Sequence, residues 1–156
     1  MIQISIPGFG ELNLTRLVID YNGTLARDGR LIPGAREILA AAAKQLEIHV
    51  LTADTYGLAA AQLANLPVTL TILPPGGQDE AKRSFVENLG ADSIVAVGNG
   101  RNDRGMLSAA RLGIAVIQKE GAAAGALAAA DVVTSCVFDA FELLQHPTRL
   151  TATLRS

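Results

Sequence analysis

The sequence predicts an α/β protein of Rossmann-like architecture: a mainly parallel sheet between two helical layers, preceded by an N-terminal β-hairpin. Three observations predict it. Six short apolar runs recur along the chain, five followed directly by a polar residue or glycine and the third by Pro74-Pro75. Segments of helical period, about 10 residues each, separate those runs. A strict alternation of strand and helix requires parallel pairing through right-handed crossovers.

The first element is the exception to that alternation. Ile2, Ile4 and Ile6 alternate with polar residues, Pro7-Gly8-Phe9-Gly10 follows, and Leu12 and Leu14 resume the alternation. Period-two spacing on both sides of a Pro/Gly turn reads as a hairpin over residues 1–15. From Leu17 the runs become apolar on both faces, as in buried parallel strands. They are Leu17-Val18-Ile19, Ile48-His49-Val50-Leu51, Leu70-Thr71-Ile72-Leu73, Ile94-Val95-Ala96-Val97, Ile114-Ala115-Val116-Ile117 and Val132-Val133. Helices are expected over 34–46, 56–65, 79–89, 103–112 and 121–130. A last helix over 138–145 is expected to stop before Pro147. No linker or repeat divides the chain, so residues 1–156 form one domain with the hairpin as an appendage.

Composition narrows the function. Of 156 residues 49% are hydrophobic and 18% charged, enough to build a core of Leu, Ile, Val and Ala and too apolar for a disordered chain. Thirteen Lys and Arg against fifteen Asp and Glu give a net charge of −2. Without a basic cluster the chain is not expected to bind nucleic acid. No apolar run has the length of a membrane span, and the opening MIQISIPGFG lacks the pattern of a signal peptide. A cytoplasmic location is expected. The single cysteine, Cys136, allows neither an internal disulfide nor a multi-cysteine zinc site.

The informative polar residues follow the strands. In an open parallel sheet, ligands bind beyond the carboxyl ends of the strands. Asp20 follows the first buried run, within Asp20-Tyr21-Asn22-Gly23-Thr24, and Thr52-Ala53-Asp54 follows the second. Gly98-Asn99-Gly100-Arg101-Asn102-Asp103 follows the fourth, and Lys82 opens the helix before it. A carboxylate, a hydroxyl, an ammonium and a second carboxylate on one rim suit a phosphoryl group and a divalent cation. Arg83 is the rival to Lys82, and Asp54 and Asn102 read as loop-end residues that satisfy backbone groups. His49 and His146 lack partners at metal-ligand spacing.

These segments, in this order, resemble the haloacid dehalogenase superfamily, and within it the small soluble proteins similar to the phosphorylation domain of P-type ATPases. Asp20-Tyr21-Asn22-Gly23-Thr24 resembles their Asp-Lys-Thr-Gly-Thr, Thr52-Ala53-Asp54 their Thr-Gly-Asp, and 98–103 their Gly-Asp-Gly-X-Asn-Asp. The resemblance implies that Asp20 attacks phosphorus to form an aspartyl-phosphate, with Thr52 and Lys82 holding phosphoryl oxygens. It implies Mg²⁺ among Asp20, the Asn22 carbonyl and Asn99, with Asp103 supporting the metal and orienting Lys82.

Two departures modify that expectation. Asn22 stands where phosphatases of the superfamily carry an acid/base Asp, a loss that typically costs 10²–10⁴-fold. Asn99 stands where the family places a carboxylate ligand. The expected activity is therefore slow phosphohydrolysis or phosphotransfer favouring acyl, anhydride or aryl phosphates, on a small molecule or a phosphoprotein. The alternative is a catalytically weak domain that binds metal and phosphorylated ligand, or a protein partner. A phospho-acceptor regulatory domain fits less well, since Asp20-Tyr21 is not an acidic pair. Both departures are Asn-Gly, a dipeptide prone to deamidation. The segments 24–33 and 65–78 are too short for a cap domain, and the hairpin is a candidate surface for a homo-oligomer.

Overall fold

The computed structural model describes residues 1–156. In chain order the elements are β1 (Ile2–Ile6), β2 (Gly10–Leu14), β3 (Arg16–Asp20), β4 (Ala26–Arg27), β5 (Arg30–Leu31), α1 (Ala35–Ala42), β6 (Glu47–Thr52), α2 (Ala59–Gln62) and β7 (Thr69–Ile72). There follow α3 (Gln78–Leu89), β8 (Ile94–Gly98), α4 (Arg104–Ala109), β9 (Leu112–Val116), α5 (Ala124–Ala129), β10 (Val132–Thr134), α6 (Val137–Gln145) and α7 (Pro147–Leu154). Six strands form one parallel sheet in the order β10-β9-β8-β3-β6-β7.

The chain builds outward from β3 through β6 to β7, then returns to the other side of β3 with β8, β9 and β10. This reversal puts a topological switch point between β3 and β8, where the crevice at the strand ends opens. Asp20 ends β3 and Asn99 follows β8, so the two segments flank that crevice.

Period-two alternation divides the core between the two faces of the sheet. Leu17, Ile19, Val95 and Val97 join the larger cluster, which contains the hairpin, α1, α6 and α7. Val18, Ile94, Ala96 and Ala115 join the smaller one, under α3, α4 and α5. The edge strands are less covered than their sequence implies: Ile72 on β7 and Val133 on β10 are exposed.

The hairpin is not an appendage in packing terms. Ile2, Ile4, Ile6, Leu12 and Leu14 are all buried in the larger cluster. Their apolar face is spent on the chain's own core, leaving only the hairpin's backbone edge to meet another molecule. The C-terminus also differs from expectation. Pro147 begins α7 rather than ending structure, because its missing N–H costs nothing at the first helical position. The helix expected over 56–65 shrinks to α2, bounded by residues of positive φ at Asp54, Gly57 and Asn65. No helix is long and apolar enough to cross a membrane.

Candidate active site

The site is set by one strand, one helix and two loops. Burial of β3 between β6 and β8 delivers Asp20 to the carboxyl edge of the sheet with 7% of its surface exposed. On α3, Lys82 and Val86 share the helix face turned to the sheet, and Lys82 is fully buried. Its Nζ donates at 2.6 Å to Asp20 Oδ1 and at 2.6 Å to Asp103 Oδ1. The rival Arg83 lies exposed and pairs with Glu87.

Asp103 is held from its other side. Its Oδ2 accepts the backbone N–H groups of Asn99 at 2.9 Å and Gly100 at 2.8 Å. The carboxylate fits there because Gly98 lacks a side chain: a Cβ would stand 2.6 Å from Asp103 Cγ. With both oxygens committed, Asp103 anchors Lys82 and the loop after β8.

Three further oxygen donors come from the segments that follow β3 and β8; Asn22 and Asn99 line the cleft, and Thr24 is buried. Thr24, fully buried, places its hydroxyl 3.4 Å from both Asp20 Oδ2 and Asn99 Oδ1, a separation at which hydrogen bonds are weak. Asn99 Nδ2 donates to Gly121 O at 3.0 Å, which turns Oδ1 inward. The Asn22 carbonyl takes no hydrogen bond, while its side-chain Oδ1 accepts Gly29 N at 3.1 Å and ties down the β4–β5 flap. One carboxylate oxygen, one amide oxygen and one main-chain carbonyl fit a hard divalent cation such as Mg²⁺ in donor type. They carry little charge, however, and the chain nowhere gathers three or more His, Cys, Asp or Glu side chains into a metal-holding group.

Electrostatics follow from burial. Desolvation, with repulsion from Asp103, pushes the Asp20 carboxyl up to about 7 although Lys82 pulls it down. Burial works against the Lys82 ammonium, but Asp20 and Asp103 outweigh it and hold its proton more firmly than usual. Burial, with the charge of Asp54, pushes Tyr21 up to about 12, and its hydroxyl donates to Gly29 O at 2.8 Å.

Asp20, Asn22, Thr52, Asn99, Asn102 and Glu120 line one polar cleft. Thr52 Oγ1 accepts Asp54 N at 2.9 Å, so its hydroxyl proton is free to point at a ligand. Asp54 caps the start of α2 through Leu58 N and Ala59 N, both at 3.0 Å, as a loop-end residue should. His49 bonds Glu47 at 3.0 Å and packs edge-on against Phe85, away from the cleft. At both Asn-Gly pairs the glycine amide is engaged: Gly23 N donates to Ala26 O and Gly100 N to Asp103 Oδ2. Succinimide formation needs that nitrogen free to attack, so the fold opposes deamidation at both. Reading the strand ends named Thr24 within the Asp20 segment without giving it a role, and passed over Glu120. The loop after β9 was the signal for Glu120, since it too lies at a carboxyl end.

Comparison with known proteins agrees with this architecture. No protein-family model matches the chain. The uncharacterized protein MJ0073 of Methanocaldococcus jannaschii is 39% identical over 84 residues, covering 51% of this chain and 90% of that protein. The cobalt-bound 3-deoxy-D-manno-octulosonate 8-phosphate phosphatase of Haemophilus influenzae superimposes with a TM-score of 0.72 at 15% identity, covering 92% of this chain and 94% of that one. The Moraxella catarrhalis phosphatase of that name, in complex with magnesium, phosphate and 3-deoxy-D-manno-octulosonate, gives 0.64 at 17% identity, over 92% and 94% of the two chains. A zinc-transporting P-type ATPase gives 0.58 at 25% identity, over 78% of this chain but only 20% of the pump.

Proposed function

The chain belongs to the family of the Methanocaldococcus jannaschii protein and has the haloacid dehalogenase fold; from that premise we propose that it is a Mg²⁺-dependent phosphohydrolase or phosphotransferase acting through Asp20. The observation that carries this reading is Lys82, buried and bonded at 2.6 Å to both Asp20 and Asp103 at the end of the central strand. A fully buried ammonium between two carboxylates is costly as mere scaffolding. Its position suits charge control at a reacting group.

In this reading an Asp20 oxygen attacks phosphorus, the bond to the leaving group breaks, and an aspartyl-phosphate remains for water to hydrolyse. Lys82 orients Asp20 and offsets charge on the phosphoryl oxygens, and the Thr52 hydroxyl donates to one of them. Asp20, the Asn22 carbonyl and Asn99 would hold Mg²⁺, which supplies positive charge to the phosphoryl group when bound. Asn22 cannot protonate the departing oxygen. Substrates whose leaving groups are stable anions are therefore favoured: acyl phosphates, phosphoanhydrides and aryl phosphates.

A comparison of acetyl phosphate, p-nitrophenyl phosphate and a hexose phosphate, with Mg²⁺ and with D20N as control, tests this. Turnover of the first two, lost in D20N, is expected. Faster turnover of the hexose phosphate, or activity that survives D20N, would overturn it. The amides at 22 and 99 favour a second reading, a domain that binds phosphate and cation without turnover. Tight phosphate binding with no release from any substrate would select it.

A further inference from the structure

We propose that Glu120 is a ligand of the divalent cation at this site, supplying the carboxylate that Asn99 does not. Glu120 can do so only if the cation sits where the preceding reading puts it, among Asp20, Asn22 and Asn99. At that position the chain offers one carboxylate, already offset by Lys82 at 2.6 Å, and two neutral oxygens. Affinity for a hard cation depends on the number of charged ligands, so this set is short of negative charge.

Glu120 is delivered to the place of the deficit. Residues 118–121 form a tight turn closed by Gly121 N donating to Gln118 O at 2.9 Å. Both ends of the turn are fastened to the loops that make the cleft. Gln118 Nε2 donates to Gly23 O at 3.0 Å and Thr24 O at 2.8 Å, and Gln118 Oε1 accepts Val137 N at 2.8 Å. Asn99 Nδ2 donates to Gly121 O, and Ala123 N donates to Asn99 O. A loop held only for packing has no need of fastening to the Asp20 segment and the Asn99 segment together.

Between those anchors the Glu120 carboxylate lines the cleft with Asp20, Asn22 and Asn99. The point where a Cβ on Gly23 would stand is 2.7 Å from Asn99 Oδ1 and 2.7 Å from Glu120 Oε2. The two oxygens are therefore no farther apart than twice that distance. Adjacent ligands of an octahedral Mg²⁺ stand roughly 3 Å from each other. Glu120 is exposed and none of the chain's ion pairs restrains it, so its side chain is free to turn toward that position.

Mn²⁺ alone is the probe, with affinity read by electron paramagnetic resonance and bound-water count by proton relaxation, for wild type, E120Q and E120D. Wild type is expected to bind one Mn²⁺. E120Q should bind it more weakly by about tenfold or more, with one additional water on the metal, and the shorter E120D should fall between. Thermal unfolding of cation-free E120Q should match wild type. Unchanged affinity in E120Q would overturn the role of Glu120 and leave the proposed function standing. Weaker binding without the extra water, and with E120D as tight as wild type, would reduce Glu120 to a distant charge and overturn ligation. Failure of wild type to bind Mn²⁺ at all would sink both readings.

Discussion

At the scale of single residues, the Asp20–Lys82–Asp103 triad couples chemistry to stability. Asp20 is pushed up to about 7 in the folded chain, first by burial and then by Asp103, against 3.8 for a free side chain. The folded state thus keeps a proton that the unfolded chain has already released. Its stabilising effect is complete below pH about 4 and is lost as pH rises toward about 7. D20N removes this dependence, so the melting temperature of metal-free D20N minus that of wild type should grow between pH 5 and pH 8. Calorimetry at the two pH values checks it, and an equal difference at both would refute it. K82M leaves two buried carboxylates without their cation. A loss of about 3–5 kcal/mol is expected, larger at pH 8 than at pH 5, measurable by urea unfolding. N22D should raise turnover of alkyl phosphates about 10-fold or more, with less gain for acetyl phosphate, because it restores a proton donor.

At the scale of elements, the hairpin shows how a local pattern can be read correctly and placed wrongly. The alternation of Ile2, Ile4 and Ile6 with Leu12 and Leu14 marks β1 and β2, and they pair in the register Ile4 to Leu12. What the pattern does not contain is the partner for the apolar face. That partner is the body of the chain, so Leu12→Ala, at a site with no exposure, should cost about 2–5 kcal/mol. A denaturant midpoint unchanged from wild type would mean the hairpin is a separable appendage after all. Pro147 carries a similar ambiguity, since proline both follows helices and opens them. Only the docking of Leu150 into the core decides for the second.

At the scale of the whole molecule, one sheet carries a core on each face, so the two clusters are expected to unfold together. A cation that binds only the folded chain should stabilise it by mass action, about 2.7 kcal/mol at a hundredfold excess over Kd. Saturating Mg²⁺ should therefore raise the melting temperature at pH 8, and chelation should reverse the rise. The effect should vanish in D20N. A shift of equal size in D20N would place the cation elsewhere.

The sequence by itself determined the strand-and-helix alternation and the position of Asp20, Thr52 and Asn99 at strand ends. Those are local facts: apolar runs fix strands, and the first polar residue after a buried run must lie at the sheet's rim. Lys82 was singled out by its place before the fourth run and by the family resemblance, but the charged run around it left Arg83 as a rival, because which face of α3 meets the sheet depends on packing. The tertiary structure alone decided that Lys82 binds both carboxylates, that Asp103 spends its oxygens on Lys82 and two backbone amides, and that Glu120 reaches the cleft. Each of these joins residues far apart in the chain. No periodicity records such pairs, because they exist only once burial has brought the strand ends together.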